Sequence, residues 1–444
     1  LLDIEDLMVK YFIGFYTRQW KQQPVCSFFM RGLNKHESVS TQGKRRCLMP
    51  RKRIAVFFCF IMFVFSVLPI AVAKEEQPES VAEAQESTDY PQLTQSVTAP
   101  SYVVMELTTG DVALQKEAHQ LFPPASLTKI MTALLVIEAL ESGTTSLDEM
   151  VTASENACSV GGVEIWLVPN EQMSVKDLLV AIMVGSGNDA AVALAEHIAG
   201  SEESFVAQMN RKAKQLGMND TNFLDASGYN TNSQTSAYDV ALMSRELLKH
   251  EQIKEYSTIW MYDLRGGETQ LVNTNRLVRF YDGCTGLKTG VSETGRNCIS
   301  ASASKGDNSF VAVAMGIEQT EDSFEDAKTL LDYAFQNFVV ITPEIDEEFM
   351  QPVKVNHGVY AQVETEIAGG EKVLIPNGRQ GEIVVEADIL PEIEAPVSVG
   401  QSVGTIRVSL NGALLQERSV VAAQEVPEMD FWNAFYIFLR KIVC

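Results

Sequence analysis

The sequence predicts an α/β domain over residues 99–342, a small all-β domain over 343–426 and an amphipathic helix over 427–444. Three observations carry this reading. Strand-like runs stand at both ends of the first segment with helical runs between them, as when one sheet draws strands from distant parts of a chain. After Ile341-Thr342-Pro343 the pattern changes to short Val- and Ile-rich runs separated by turns such as Pro376-Asn377-Gly378 and Asn411-Gly412, which marks an all-β unit. At the end, Phe431, Phe435, Phe438 and Ile442 fall on one helical face, joined by Trp432 and Leu439.

Taken in order, residues 1–48 lack clear periodicity or turn logic, and the chain opens on Leu1. Two readings stand: an over-extended reading frame ahead of a start at Met49, or a cytoplasmic extension before an uncut anchor. Residues 49–73 read as a signal peptide. Arg51-Lys52-Arg53 precedes an apolar run from Ile54 to Ile70, and Ala71-Val72-Ala73 supplies the small-x-small pattern for cleavage before Lys74. The run is just long enough to span a bilayer, but the cleavage pattern and the polar stretch after it favour removal. Residues 74–98, rich in Glu, Gln, Ser, Thr and Pro, read as a flexible linker.

Within the α/β domain, Tyr102–Leu107 and Val112–Gln115 form a predicted hairpin around Thr108-Thr109-Gly110-Asp111. Pro123-Pro124 breaks the chain, and a helix follows from Ser126, with Ile130, Leu134, Ile137 and Leu140 at helical spacing and Gly143 as its stop. Apolar helices at Val175–Val184 and Asp189–Ala199 are joined by Gly185-Ser186-Gly187-Asn188, and further helices run through Phe205–Leu216 and Ala237–Leu248. Strands return at Cys284–Thr289, Asn297–Ala303 and Phe310–Gly316, and a last helix covers Phe324–Phe338. The 427–444 helix has acidic residues at its start and Arg440-Lys441 near its end, which suits a helix dipole. Its aromatic face suits a membrane interface; docking on its own β domain, or a dimer contact, is the alternative.

Charge excludes one class of partner. Residues 1–73 hold 11 Lys and Arg against 4 Asp and Glu, so the rest of the chain holds 24 against 54, a net of −30. Such a surface repels nucleic acid, whose binding rests on neutralising phosphates. No Cys/His cluster has metal-ligand spacing, and with only five His neither a metal nor a cofactor is expected. Cys284 and Cys298 flank a predicted hairpin, which leaves a disulfide between them open in an exported protein.

Three short motifs follow one another: Ser126-Leu127-Thr128-Lys129, Ser186-Gly187-Asn188 and Lys288-Thr289-Gly290. Each alone is weak; together they match the S-x-x-K, S-x-N and K-T-G set of acyl-serine enzymes. Ser126 stands at a helix N-terminus, where free N–H groups favour developing negative charge. Lys129 lies one turn on, on the same face. A serine hydroxyl needs a base, and a lysine serves if burial and a neighbouring cation depress its pKa; Lys288 is the candidate cation. Ser186 is read as a proton relay toward the leaving amine and Asn188 as a holder of substrate backbone. Lys288 and Thr289 offer a charge and a donor to a terminal carboxylate at a strand edge that an extended peptide can join, with Gly290 keeping the approach open.

Over residues 99–444 the chain resembles the D-alanyl-D-alanine carboxypeptidases, the low-molecular-mass penicillin-binding proteins. The likeness extends to Pro124–Thr132, Ser186–Ala191, Met209-Asn210, Leu216-Gly217-Met218, Thr235–Asp239 and Gly286–Gly290. It implies a β-lactamase/transpeptidase-like catalytic domain with Ser126 as acyl-enzyme nucleophile and Lys129 as base. It further implies an oxyanion hole from the backbone N–H groups of Ser126 and Val291, and the matching roles for Ser186, Asn188, Lys288, Thr289 and Gly290. The implied substrates are peptidoglycan stem peptides ending in D-Ala-D-Ala, with β-lactams as inhibitors. The implied place is outside the cytoplasmic membrane, held there by the 427–444 helix. One departure stands out: where many members carry an Arg before the last helix, implicated in carboxylate binding, this chain has Ser323 in Ser323–Lys328, leaving Arg276 or Arg279 as substitutes. Another is Glu293-Thr294-Gly295 where Glu-Ala-Gly is usual.

Three rival readings stand beside this one. A class A β-lactamase needs a deacylating Glu, and no E-x-x-L-N follows Ser126. A peptidoglycan endopeptidase shares the motifs. A non-catalytic wall-binding protein would have no reason to keep all three intact.

Overall fold

The computed structural model describes residues 90–443. The segments 1–48 and 49–73 lie outside the described residues, as does most of 74–98. Where that last stretch is described, it is packed rather than free. The Tyr90 ring meets Phe338 edge-on at 5.0 Å, Leu93 and Val97 rest on the core, and the backbone amides of Thr98 and Ala99 donate to Asp326 at 2.9 and 2.8 Å. The polar composition of the stretch hid three apolar side chains with a surface to cover.

One antiparallel sheet organises the first domain. Its strands are β1 (Ser101–Glu106), β2 (Val112–Lys116), β3 (Cys284–Val291), β4 (Asn297–Lys305) and β5 (Asn308–Ile317), in the order β2-β1-β5-β4-β3. The alternation of strand side chains divides the core. Val103 and Met105 of β1, with Val311, Val313 and Met315 of β5, face the large helical layer. Tyr102, Val104, Phe310, Ala312 and Ala314 face the last helix. Burial on both faces is why these strands read as nearly continuous apolar runs.

The helical layer contains α1 (Thr128–Glu141), α2 (Val175–Val180), α3 (Asn188–Ala199), α4 (Glu202–Gln215) and α5 (Ala237–Lys249); α6 (Thr320–Asn337) covers the other face. Ser126 sits in a 3₁₀ turn, Ala125–Leu127, leading into α1. The predicted Val175–Val184 helix is α2 followed by a π turn at Ala181–Gly185. Helix α6 starts at Thr320 rather than Phe324, and Phe338 begins a strand, Phe338–Ile341, that pairs with Val373–Pro376 of the second domain. Two hairpin pairings escaped the sequence reading, Met150–Thr152 with Gln172–Ser174 and Met261–Leu264 with Thr269–Val272; their strands are too short to show a period.

Cys284 and Cys298 do not pair. Cys284 lies opposite Ala303 and Cys298 opposite Gly290 in the β3–β4 ladder, so the two sit at opposite ends of the hairpin, and both are free thiols.

The second domain is all β, with a four-stranded sheet in the order Thr365–Ala368, Ala413–Ala422, Ser402–Leu410, Ile383–Ile389. Its core is Val- and Ile-rich. The final helix, α7, runs from Phe431 to Val443. Residues 427–429 belong to the β domain instead: Val359 N–H donates to the Pro427 carbonyl at 2.9 Å and Met429 N–H to that of His357 at 2.7 Å. Phe431, Trp432, Tyr436 and Phe438 of α7 are each at least 60% exposed. Among the described residues no helix is long and apolar enough to cross a membrane.

Candidate active site

Four segments converge at one end of the sheet. The 3₁₀ turn brings Ser126, α1 brings Lys129, the turn into α3 brings Ser186 and Asn188, and edge strand β3 brings Lys288, Thr289 and Gly290. A fifth, the loop Asp225–Asn230, was missed in the sequence.

Lys129 is the hub. Its side chain is fully buried. Its Nζ lies 3.3 Å from Ser126 Oγ, 2.6 Å from Asn188 Oδ1 and 2.7 Å from the carbonyl oxygen of Ser227. Burial holds its pKa well below the ordinary lysine value, and the charge of Lys288 pushes it the same way, against the weaker pull of Asp225 and Asp189. Asn188 is fixed at its other end, donating through Nδ2 to the Gly161 carbonyl at 2.8 Å. Lys288, also fully buried, donates to the Thr289 carbonyl at 3.1 Å and to Thr274 Oγ1 at 3.4 Å. Burial brings its pKa down to about 7.

Ser186 is nearly buried and adopts a left-handed conformation, φ 63°, directly after the π turn. A π turn and a left-handed serine together are a strained link of the kind found at functional sites.

Close approach of backbones sets the geometry around Ser126. A Cβ on Gly290 would lie 3.1 Å from the Ser126 amide nitrogen, and one on Gly228, at φ 80°, would lie on the Ala125 carbonyl. Only glycine fits at either place. Asp225 ties its loop down, accepting from Ser227 Oγ at 2.7 Å, Tyr229 N at 2.7 Å and Asn230 N at 3.2 Å. The turn-rich Asp225-Ala226-Ser227-Gly228 was the legible signal for this loop.

An open cleft lies above, lined by Ser126, Asn188 and Val291 with Gly162, Val163 and Tyr229 among others. Of the predicted site residues, Lys129, Lys288 and Ser186 lie beneath rather than on its lining, and Thr289 is half-buried on β3. Of the two candidate arginines, Arg276 reaches the start of α6. It pairs with Glu321 at 2.7 Å and covers the Phe324 ring at 5.5 Å, next to the buried Ser323, whose hydroxyl donates to the Thr320 carbonyl at 2.5 Å. Arg279 lies over Trp260 and Phe280 instead.

Comparison with known proteins identifies the family. Residues 84–319 match the D-alanyl-D-alanine carboxypeptidase family, and 345–428 match the C-terminal domain of penicillin-binding protein 5. The chain is 37% identical over 338 residues to D-alanyl-D-alanine carboxypeptidase DacF of Bacillus subtilis, covering 75% of this chain and 87% of that one. It is 31% identical over 386 residues to DacC of Escherichia coli, covering 85% and 93%. Penicillin-binding protein 5 of Haemophilus influenzae superposes with a TM-score of 0.69 at 28% identity, covering 76% of this chain and all of that one. Penicillin-binding protein D2 of Listeria monocytogenes, solved in a cefotaxime-bound form, superposes at 0.51 with 28% identity, covering 55% of this chain and all of that one.

Proposed function

The chain belongs to the D-alanyl-D-alanine carboxypeptidase family, as a serine-type hydrolase of cell-wall metabolism, and from that premise we propose how its residues divide the work. Ser126 Oγ attacks the carbonyl carbon of the penultimate D-alanine. Lys129, whose pKa burial and the charge of Lys288 hold well below the ordinary lysine value, takes the hydroxyl proton. The backbone N–H groups of Ser126 and Val291 receive the developing oxyanion. The C–N bond breaks as the proton on Lys129 passes through the Ser186 hydroxyl to the departing D-alanine nitrogen, leaving Lys129 free again. Water then attacks the ester carbonyl, Lys129 takes its proton, and that proton returns to Ser126 Oγ as the acyl–oxygen bond breaks. Asn188 holds Lys129 and, when substrate enters, the peptide backbone. Thr289 faces the terminal carboxylate with the charge of the buried Lys288 behind it, and Gly290 leaves it room.

A β-lactam follows the same first step. Its amide bond opens onto Ser126, giving a covalent adduct that leaves slowly, so we read the enzyme as penicillin-sensitive. The observation that carries the scheme is the contact of Lys129 Nζ with Ser126 Oγ at 3.3 Å in a buried setting. Ser126→Ala, still folded, is expected to lose both D-alanine release and labelling by a tagged penicillin. Lys129→Ala is expected to lose several powers of ten in both, by analogy with other nucleophile–base pairs. A folded Ser126→Ala protein that releases D-alanine at the normal rate refutes the assignment.

We read the enzyme as exported, cut after Ala73 and working on the outer face of the cytoplasmic membrane. The basic–apolar–small pattern of residues 49–73 supports export. The exposed aromatic side chains of α7 support attachment to the bilayer interface.

A further inference from the structure

Trp166 occupies a backbone conformation that its size disfavours. Its φ is 57°, in the left-handed region that bulky L-residues rarely enter, and its side chain is 71% exposed. Burial of the indole therefore does not compensate the strain. Neighbouring groups hold it in place from two sides. The amides of Ile165 and Leu167 donate to the Asp189 carboxylate at 3.1 and 3.0 Å. Arg265 donates to the carbonyls of Ile165 at 3.0 Å and Trp166 at 3.4 Å, and is itself locked to both oxygens of Glu171 at 2.6 and 3.1 Å. Ile165 and Leu167 are buried on either side.

The location ties this display to the active site. Asp189 directly follows Asn188, so one turn both presents an amide to Lys129 and pins the loop that carries Trp166. On the same loop, Gly162 and Val163 line the cleft. Val163, Tyr229 and Val291 give the cleft an exposed apolar rim. Persistent strain at such a place points to function rather than stability.

We propose that Trp166 is the platform of an extended substrate subsite. It stacks against the part of the wall strand beyond the reacting dipeptide, whose aliphatic stem groups and sugar C–H faces suit an indole surface. The occupant is the remainder of the molecule already in the cleft, because Trp166 follows Val163 of the cleft lining by three residues on the same loop. The inference rests on the carboxypeptidase reading above.

The test compares a long and a short substrate. For Trp166→Ala, kcat/KM on a disaccharide-pentapeptide is expected to fall about tenfold, mostly through KM, the size of one lost aromatic contact. On N-acetyl-D-Ala-D-Ala, and in penicillin acylation, the change stays within about twofold. Trp166→Phe keeps most of the activity on the long substrate. Trp166→Gly, which relieves the left-handed strain, melts no lower than the parent yet shows the same tenfold loss. Equal losses on both substrates, or none on the long one, overturn the subsite. Binding of the disaccharide-pentapeptide to Ser126→Ala, with and without Trp166→Ala, separates the two readings. A tenfold weaker Kd supports the subsite even without turnover, and an unchanged Kd removes it. Absence of D-alanine release by the parent enzyme would count against the carboxypeptidase reading alone.

Discussion

Replacing Gly290 by alanine tests how tightly the nucleophile turn and β3 are fitted. The added Cβ would lie 2.9 Å from Cys298 Sγ, 3.1 Å from the Ser126 amide nitrogen and 3.3 Å from Ala125 Cβ. The sulfur has little room to retreat, because it is buried with the Pro124 carbonyl at 3.7 Å and the Gly290 carbonyl at 3.4 Å. Relief comes instead from β3 moving a few tenths of an ångström away from Ser126. Overpacking of this kind costs about 1–3 kcal/mol in stability. It also spreads the N–H groups of Ser126 and Val291, the proposed oxyanion donors. Loss of one such donor costs roughly 10²–10³ in rate, so a partial spread should slow acylation by about 10- to 100-fold. Stopped-flow acylation with a chromogenic penicillin and a thermal melt read the two effects separately. Gly290→Ala with Cys298→Ala removes the sulfur contact but not the one to Ser126, so stability recovers while acylation stays slow. A folded Gly290→Ala enzyme that acylates within twofold of the parent would refute this account of the glycine.

Two further expectations concern charge and attachment. The unfolded chain keeps a Lys288 proton up to an ordinary lysine pKa of about 10.4, whereas the folded protein releases it near 7. Between those values the unfolded state holds more protons, so stability rises with pH across that window. Lys288→Met should flatten the rise of melting temperature from pH 7 to 10, keep or raise stability at pH 7, and shift the alkaline-going activation of acylation upward, because Lys129 loses the charge that depresses it; an unchanged acylation profile would argue against coupling of the two lysines. Deletion of residues 431–444 should free the protein from vesicles with D-alanine release intact, whereas a cut at 427 would also break the backbone bonds of residues 427–429 to the β domain; a truncated enzyme still found on vesicles would place the attachment elsewhere.

The fold was legible where periodicity was long or turns were sharp. The β1–β2 hairpin, α1 and the three later strands of the sheet were placed within a few residues, because apolar runs bounded by Gly and Pro leave few alternatives. The site was legible as three motifs but not as a packed assembly. Nothing in the order of residues says that Lys288 is fully buried rather than offered at an edge; that follows from β3 lying against the nucleophile turn. The role of Ser227 was equally invisible, since its backbone oxygen, not its side chain, meets Lys129. Backbone groups carry no residue-type signal. Whether Cys284 and Cys298 pair was left open for a related reason: flanking a hairpin does not fix register, and the ladder puts the two at opposite ends.

The two buried lysines also explain each other. Burial depresses both, and repulsion between their charges disfavours a state in which both are protonated. The pair therefore favours one charge over two, and whatever anchors that charge on Lys288 favours Lys129 as the base beside the nucleophile. It also gives the substrate carboxylate a part in its own cleavage. An anion arriving near Lys288 favours the protonated form of that lysine, and a charged Lys288 pushes the pKa of Lys129 down at the moment Ser126 must lose its proton. A substrate or inhibitor lacking the carboxylate should thus acylate more slowly by more than its weaker binding explains, with the deficit seen in kcat as well as in KM.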